Sequence, residues 1–153
     1  MHEAEAAAKN FPDVTLREMD VDAMAADLYS RPQCHDVILI TNMFGDILSN
    51  AAVAMSGGLG LAASLNAGDN FAAANAGHGS APDIAGKGIA NPIALLLAAA
   101  MMLDHCKLPE LATRLRRAID ETLNVDKVRT DDLGGTAGTA AFTNALVSRI
   151  VSR

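Results

Sequence analysis

Apolar residues at helical spacing alternate along this chain with short stretches of glycine and proline. The spacing predicts several helices, and the longest of them lie in the second half of the chain. Proline positions agree with the predicted ends, since Pro12 and Pro32 each follow a helix and Pro109 lies in the first turn of another. The predicted helices cover residues 2–10, 20–31, 46–55, 92–106, 109–124 and 138–152.

Other stretches have the composition of strands. Residues 14–19 alternate between apolar and polar side chains, which is typical of a half-exposed strand. Residues 36–41 are β-branched and almost continuously apolar, which predicts a strand buried on both faces. One further short strand is expected around Phe71, in an otherwise irregular region. Helices mixed with a buried strand indicate an α/β fold.

The chain of 153 residues is long enough for one ordinary domain, and half of its residues are hydrophobic. Aromatic residues make up only 3%, so alanine, leucine and methionine must form the core. A net charge of −6 argues against a nucleic-acid partner, which requires a basic surface. The longest apolar run, residues 93–103, is too short to span a bilayer, so no membrane partner is expected.

The two cysteines, Cys34 and Cys106, stand far apart and have no spacing that suits a metal. They are expected to be reduced thiols of an intracellular protein. The N-terminus also lacks the apolar segment of a secretory signal. These features together predict a soluble cytoplasmic protein.

Residues 77–92 combine four glycines and two prolines with a few dissimilar polar side chains. Glycine allows the backbone to approach a ligand closely, and proline fixes the direction of the chain. The apolar run that follows predicts a helix whose first backbone N–H groups are free to bind an anion. The residues alone therefore indicate a loop that binds an anion or a nucleotide. Its polar side chains are those of His78, Ser80, Asp83, Lys87 and Asn91.

A second glycine pattern, at residues 58–63, matches the dinucleotide motif G-x-G-x-x-A. That motif must follow a strand and open a helix. Here the glycines follow a predicted helix, so we interpret the match as accidental.

Asp46 and Asn50 are four residues apart, so a helix places them on one face. They follow the predicted buried strand, where open α/β sheets commonly bind ligands. Their oxygen atoms suit Mg²⁺ or Mn²⁺, although such a pair is more commonly exposed or part of a helix cap. Asp22, taken alone, is an aspartate in the first turn of a helix, where it is favourable with the helix dipole.

Several segments resemble the isocitrate and 3-isopropylmalate dehydrogenases, which are metal-dependent β-decarboxylating dehydrogenases. Residues 78–86 resemble the nucleotide loop of that family, and residues 41–50 resemble its metal-carboxylate segment. Residues 21–32 resemble the segment that carries a further metal aspartate, and residues 132–143 resemble the C-terminal signature. The segments occur in the family's order and are closest to its 3-isopropylmalate branch.

The resemblance implies the C-terminal half of a discontinuous two-domain α/β fold, which is not a Rossmann fold. Residues 1–56 would belong to the small substrate and dimerisation domain, and residues 57–153 to the large nucleotide-binding domain. The family's general-base lysine, proton-donating tyrosine and substrate-binding arginines lie upstream of these segments. No catalytic residue is therefore expected in this chain, and we expect it to be a fragment that is inactive alone.

The nucleotide loop implies a nicotinamide cofactor. In such proteins the histidine and the asparagine contact adenine, and the backbone lines the ribose. A carboxylate at Asp83 would accept hydrogen bonds from both ribose hydroxyls of NAD and repel the 2′-phosphate of NADP, so NAD is expected. The implied cofactor-binding residues are His78, Gly79, Ser80, Ala81, Pro82, Asp83, Ile84 and Asn91.

The metal segment implies that Asp46 binds Mg²⁺ or Mn²⁺, and that Asp22 reaches the same site from a neighbouring subunit. A shared site of this kind implies a homodimer. Asn50 departs from the pattern, because catalytic members usually carry aspartate there. Its carbonyl oxygen can still bind a cation, although without the charge of a carboxylate. A non-catalytic regulatory subunit and a bare nucleotide-binding module therefore stay open as alternatives.

The reaction implied for the complete protein is the oxidation of a 2-hydroxy acid by hydride transfer to NAD, with loss of the β-carboxylate as carbon dioxide. The substrate would be a hydroxy-dicarboxylate or hydroxy-tricarboxylate. Among these, 3-isopropylmalate is the first expectation. Isocitrate, homoisocitrate and tartrate are close alternatives, because the residues that select the 3-substituent lie mostly upstream.

Overall fold

A computed structural model describes residues 2–152, which divide between Ser49 and Asn50 into two compact units. The predicted domain ranges also include Met1 and Arg153, which lie outside the described residues. The helices and strands are α1 (His2–Ala8), α2 (Val21–Ser30), α3 (Asn42–Met55), β1 (Ala63–Ala67), β2 (Ala72–Ala76), α4 (Ile93–His105), α5 (Pro109–Asn124) and α6 (Thr139–Val151). The mixture of helix and strand confirms the α/β class.

In the first unit, α2 is held by apolar and polar contacts. Met24 and Leu28 are each 7% exposed and form the buried face of this helix. Asp20 occupies the N-cap position, but its side chain forms no capping hydrogen bond. The C-terminal end of the helix is held by the carboxylate of Asp27, which accepts hydrogen bonds from Arg31 and His35.

The Asp27 carboxylate is almost completely paired. Arg31 Nε donates to Oδ1 at 2.9 Å, and His35 Nε2 lies 3.1 Å from Oδ2. The hydrogen bond from Arg31 lowers the pKa of Asp27 below its ordinary value of 3.8, against the opposing effect of burial. The side chains of Asp27 and His35 are 10% and 9% exposed, so this cluster closes the C-terminal end of α2.

The two strands predicted in the first unit are not formed. Residues 14–19 and 36–41 have no regular structure, and Val37 and Leu39 are 85% and 78% exposed. The prediction of a strand buried on both faces is therefore wrong for this chain. A strand exists only where another strand accepts and donates its backbone hydrogen bonds. Within residues 2–152, the only strands that pair are β1 and β2.

Helix α3 begins four residues earlier than predicted, at Asn42 rather than near Asp46. Gly45 therefore lies inside the helix, and its N–H donates to the carbonyl of Thr41 at 2.8 Å. The predicted end at Met55 is confirmed, because Gly57 and Gly58 adopt positive φ angles directly after it.

The second unit contains a two-stranded antiparallel hairpin instead of the one short strand expected around Phe71. Strand β1 pairs with β2 in the register Ala63 to Ala76. Phe71 precedes β2 and is 73% exposed, so it lies in the connection between the strands. Alanine dominates both strands, which gave them no strand-like pattern in the sequence.

The core of the second unit lies between its three long helices. Their ends agree with the prediction to within one residue, and α5 has the predicted bounds. Helix α4 is apolar on every side up to Leu103, which is typical of a helix that is buried between other elements. The buried side chains that meet in the core are Ile93 of α4, Ala118 and Ile119 of α5, and Phe142 and Leu146 of α6.

An ion pair joins α6 to the segment after α5. Arg149 Nε donates to Asp126 Oδ2 at 2.9 Å, and this hydrogen bond lowers the pKa of Asp126.

Cys34 and Cys106 are free and exposed. None of the helices within residues 2–152 is long and apolar enough to cross a membrane.

The cluster at the end of α2 predicts a pH-dependent helix. Because the pKa of Asp27 is depressed in the folded state, its stabilising effect is present above pH 3.8 and is lost as the pH falls through the lower, folded value. We expect Asp27→Asn to accelerate hydrogen exchange of the α2 amides by roughly tenfold at pH 7. The difference from the unchanged chain should shrink below pH 4. Asp13→Asn, at an exposed carboxylate, is the control, and equal exchange rates for both variants would contradict the role of Asp27.

Candidate functional site

Within residues 77–92, residues 81–87 form two consecutive tight turns. The N–H of Ile84 donates to the carbonyl of Ala81, and the N–H of Lys87 donates to the carbonyl of Ile84, both at 3.1 Å. Ala81 has a φ of 43°, a left-handed conformation that is unusual for a residue with a side chain. Asp83 follows Pro82 inside the first turn and is exposed.

Most of the predicted cofactor-binding side chains face solvent. His78, Gly79, Ser80 and Pro82 are exposed with Asp83, while Ala81, Ile84 and Asn91 are half-buried. His78 Nδ1 lies 2.9 Å from the carbonyl oxygen of Gly79. Since a carbonyl can only accept, Nδ1 carries the proton and Nε2 of the neutral ring is left as an acceptor.

The start of α4 differs from the prediction of free N–H groups. The N–H of Ile93, the first residue of α4, donates to Asn91 Oδ1 at 2.9 Å, while Pro92 occupies the N-cap position. Ile93 and Ala94 are 1% and 0% exposed. The Ile93 N–H is therefore not available to an anion, and the loop must recognise a ligand mainly through its exposed side chains and turns.

The loop is bound to the C-terminal signature through Asp132. Asn91 Nδ2 donates to Asp132 Oδ2 at 2.9 Å, and Thr130 Oγ1 donates to Asp132 Oδ1 at 2.5 Å. Thr130 is completely buried. Farther along, the N–H of Thr139 donates to the carbonyl of Gly88 at 2.8 Å. Two segments that are about 40 residues apart in sequence thus form one polar structure.

Gly60 lies directly against this structure. A Cβ atom at Gly60 would lie 2.5 Å from Asp132 Oδ2 and 2.9 Å from Asn91 Nδ2. Both distances are too short for a non-bonded contact. Gly60 belongs to a single 3₁₀ turn, Leu59–Leu61, between α3 and β1. The glycines that resemble a dinucleotide motif therefore follow a helix, as predicted, and they precede strand β1. One of them, Gly60, makes room for the Asn91–Asp132 pair.

The predicted metal residues lie on α2 and α3. Asp22 is exposed in the first turn of α2, where its Oδ1 accepts the N–H of Ala23 at 2.8 Å. Asp46 and Asn50 are exposed one turn apart on α3, and Asn42 Nδ2 lies 3.4 Å from Asp46 Oδ2. No group of three or more histidine, cysteine, aspartate or glutamate side chains that could hold a metal occurs within residues 2–152.

The α3 pair has the donor chemistry of a hard-cation site without its full number of ligands. One carboxylate and one amide carbonyl suit Mg²⁺ or Mn²⁺, which prefer oxygen atoms and usually also bind substrate and water. Sequence reasoning missed the residues that shape the other site, namely Gly60, Thr130, Asp132 and Thr139. The resemblance of residues 132–143 to a family signature and the glycine pattern at 58–63 pointed to these segments, but not to the contacts between them, because the partners lie far apart in sequence.

Comparisons with known proteins identify the architecture. The family model of isocitrate/isopropylmalate dehydrogenase matches residues 2–149. The isocitrate/homoisocitrate dehydrogenase of Thermus thermophilus is 52% identical over 145 residues, which are 95% of this chain and 43% of that protein. A mitochondrial isocitrate dehydrogenase [NAD] catalytic subunit of Arabidopsis thaliana is 44% identical over 94% of this chain and 38% of that protein.

A solved structure agrees with both. The isocitrate dehydrogenase of Methylococcus capsulatus superposes with a TM-score of 0.93 at 44% identity, covering 97% of this chain and 44% of that one. The chain therefore spans less than half the length of these relatives.

The close approach at Gly60 generates a testable prediction. We expect Gly60→Ala to lower the thermal midpoint by about 5 °C or more, because the new methyl group must push apart Asn91 and Asp132. Differential scanning fluorimetry measures the midpoint. Gly79→Ala is the matched control, since a Cβ there meets nothing within 4 Å. A Gly60→Ala chain as stable as the control would show that the contact is absent in solution.

Proposed function

The chain belongs to the isocitrate/isopropylmalate dehydrogenase family, and on that premise we propose that residues 77–92 bind the adenosine part of NAD. The observation that carries this proposal is the anchoring of the loop. Its base is fixed by Asn91 and Asp132, while His78, Ser80 and Asp83 remain exposed. A loop whose backbone is held while its polar side chains are free is suited to bind a ligand.

The exposed groups have complementary chemistry for adenosine. His78 Nε2 is an acceptor that suits the exocyclic amino group of adenine. The Asp83 carboxylate can accept hydrogen bonds from both ribose hydroxyls, whereas it would repel the 2′-phosphate of NADP. The name of the Arabidopsis relative, which specifies NAD, supports the same choice.

We infer that the complete protein oxidises a substituted malate and releases carbon dioxide. The names of the relatives include isocitrate and homoisocitrate, and the family name includes isopropylmalate. The 52% identity to the Thermus isocitrate/homoisocitrate dehydrogenase favours isocitrate or homoisocitrate as the substrate, rather than the 3-isopropylmalate expected from the motifs. The lysine, tyrosine and arginines that the chemistry requires would come from the part of the fold that this chain does not contain.

Asp46, Asn50 and a partner subunit's equivalent of Asp22 would hold Mg²⁺ or Mn²⁺ in this proposal. The oxygen-only donors and the exposure of all three side chains support it. When bound, the cation would polarise the hydroxyl and carboxylate oxygens of the substrate. The proposal includes a homodimer, and it assigns residues 1–56 to a small domain and 57–153 to a large one. The cytoplasmic location stays a prediction, and the Arabidopsis relative is mitochondrial.

Asn50 favours a second candidate function. An amide at this position removes one negative charge from the proposed cation site, which weakens binding of a divalent ion. A family member that has lost this charge could bind NAD without turning over substrate. A regulatory subunit of the same architecture is therefore the alternative.

Asp83 provides the test of cofactor binding. We expect NAD, titrated into the ¹⁵N-labelled chain, to shift the amide resonances of residues 78–84. Asp83→Ala should weaken NAD binding by roughly tenfold, because a hydrogen bond to a charged group is lost. It should weaken NADP binding less, because it also removes the repulsion of the 2′-phosphate.

Lys87→Ala is the matched control in the same loop and should leave NAD affinity within about twofold, as expected for an exposed side chain without a proposed contact. Tighter binding of NADP than of NAD by the unchanged chain would overturn the proposal.

Asn50 provides the test of the catalytic reading. Residues 2–149 can replace the matching segment of the Thermus relative, which supplies the missing part of the fold. We expect this chimera to reduce NAD with isocitrate or homoisocitrate in the presence of Mn²⁺. Asn50→Asp should lower the Mn²⁺ concentration required by roughly tenfold, since it restores a charged ligand.

Ser49→Asp adds the same charge one residue away and is the control for general electrostatics. A chimera that binds NAD but turns over no hydroxy acid, with or without Asn50→Asp, would favour the regulatory alternative.

A further inference from the structure

We propose that Asp132 is a positioning residue of the nucleotide site, which acts through the side-chain amide of Asn91. This inference rests on the proposed function, because it concerns how the same loop holds its ligand. The carboxylate of Asp132 accepts from Asn91 Nδ2 at 2.9 Å and does not belong to the loop itself. It therefore controls a loop residue from a distant part of the chain.

The two partners of Asn91 fix the orientation of its amide. The N–H of Ile93 can only donate, so it must face Oδ1, and the carboxylate of Asp132 can only accept, so it must face Nδ2. Rotation of the amide by 180° would place two donors together and two acceptors together. Asn91 consequently retains one Nδ2 hydrogen, so a ligand group that binds Nδ2 would have to be an acceptor.

Asp132 is itself held in place. Its other oxygen, Oδ1, accepts from the hydroxyl of Thr130, which is completely buried. On the other side, Gly60 leaves no space into which the pair could shift, because even a methyl group there would overlap both. The donor and acceptor roles along the hydrogen-bonded series Thr130–Asp132–Asn91–Ile93 are thus fixed by the chemistry of each group, and the position of the series is fixed by packing.

A fixed donor has a defined use in nucleotide binding. An adenine ring presents nitrogen acceptors at its edge, and a donor that is already oriented loses little entropy when it binds one. Without the Asp132 carboxylate, only the Ile93 N–H would restrain the amide, so its Nδ2 donor would be held less firmly at the ligand. Asp132 would thus raise affinity without touching the ligand.

Nuclear magnetic resonance of the ¹⁵N-labelled chain, with NAD as the probe, tests this role. The Asn91 side-chain NH₂ resonances, identified by their loss in Asn91→Ala, should shift on titration together with those of residues 78–84. Asp132→Asn should raise the Kd for NAD by about tenfold, because an amide can present either face to Asn91. Asp131→Asn is the matched control, since it removes the same charge one residue away, and it should change the Kd by less than about twofold.

A double-mutant cycle separates positioning from general loosening of the fold. In the Asn91→Ala background, Asp132→Asn should change the Kd for NAD by less than about twofold, because the group through which it acts is gone. A similar loss of affinity in both backgrounds would overturn the positioning role. Unchanged affinity of Asp132→Asn alone would overturn it as well. If the unchanged chain binds no NAD, the proposed function itself fails. If it binds NAD and Asp132→Asn has no effect, only the positioning role fails, so the two failures are distinguishable.

Discussion

The polar structure of the second unit depends on the hydrogen bonds that the carboxylate of Asp132 accepts. Its two oxygens are used by partners from different segments, Thr130 on one side and Asn91 on the other. Asn91 Oδ1 in turn accepts the N–H of Ile93, the first residue of α4. A single charged group therefore connects the C-terminal signature, the proposed nucleotide loop and the first turn of α4. Because hydrogen bonds to a carboxylate are strong and directional, this connection sets the position of the loop as well as its attachment.

The helices could be predicted from the sequence because their signals are local. Helix α5 starts at Pro109 and carries apolar residues at helical spacing, so nothing distant is needed to recognise it. Strands depend on partners elsewhere in the chain. Residues 36–41 have the composition of a buried strand but remain unpaired and exposed, while the alanine-rich β1 and β2 pair without any strong strand signal. The pattern at residues 36–41 suits a strand that is paired and covered on both faces, and no strand within residues 2–152 pairs with this segment.

The candidate site shows the same division. The composition of residues 77–92 was enough to predict a loop, and the structure contains one, with His78 and Asp83 exposed, whereas its binding of a nucleotide stays a prediction. The sequence could not predict that Asn91 serves the helix and Asp132 at once, because that pairing crosses 41 positions. It also could not explain Gly60, which resembles part of a phosphate-binding motif although its role is to make room for the Asn91–Asp132 pair. The metal residues were recognised only by resemblance, and their shared function stays a prediction.

The loop combines two kinds of residue that respond differently to change. Asn91 is joined to Ile93, whose side chain lies in the core with Phe142, so any substitution at Asn91 disturbs both folding and binding. Asp83 is exposed and lies within a turn, so its side chain can change without disturbing the core. If the loop binds NAD as proposed, selectivity against NADP could therefore be altered at Asp83 at little cost in stability, whereas the orientation of the Asn91 amide is tied to the stability of α4. Such a site would keep the position of the ligand constant while the chemistry at its exposed edge is free to vary.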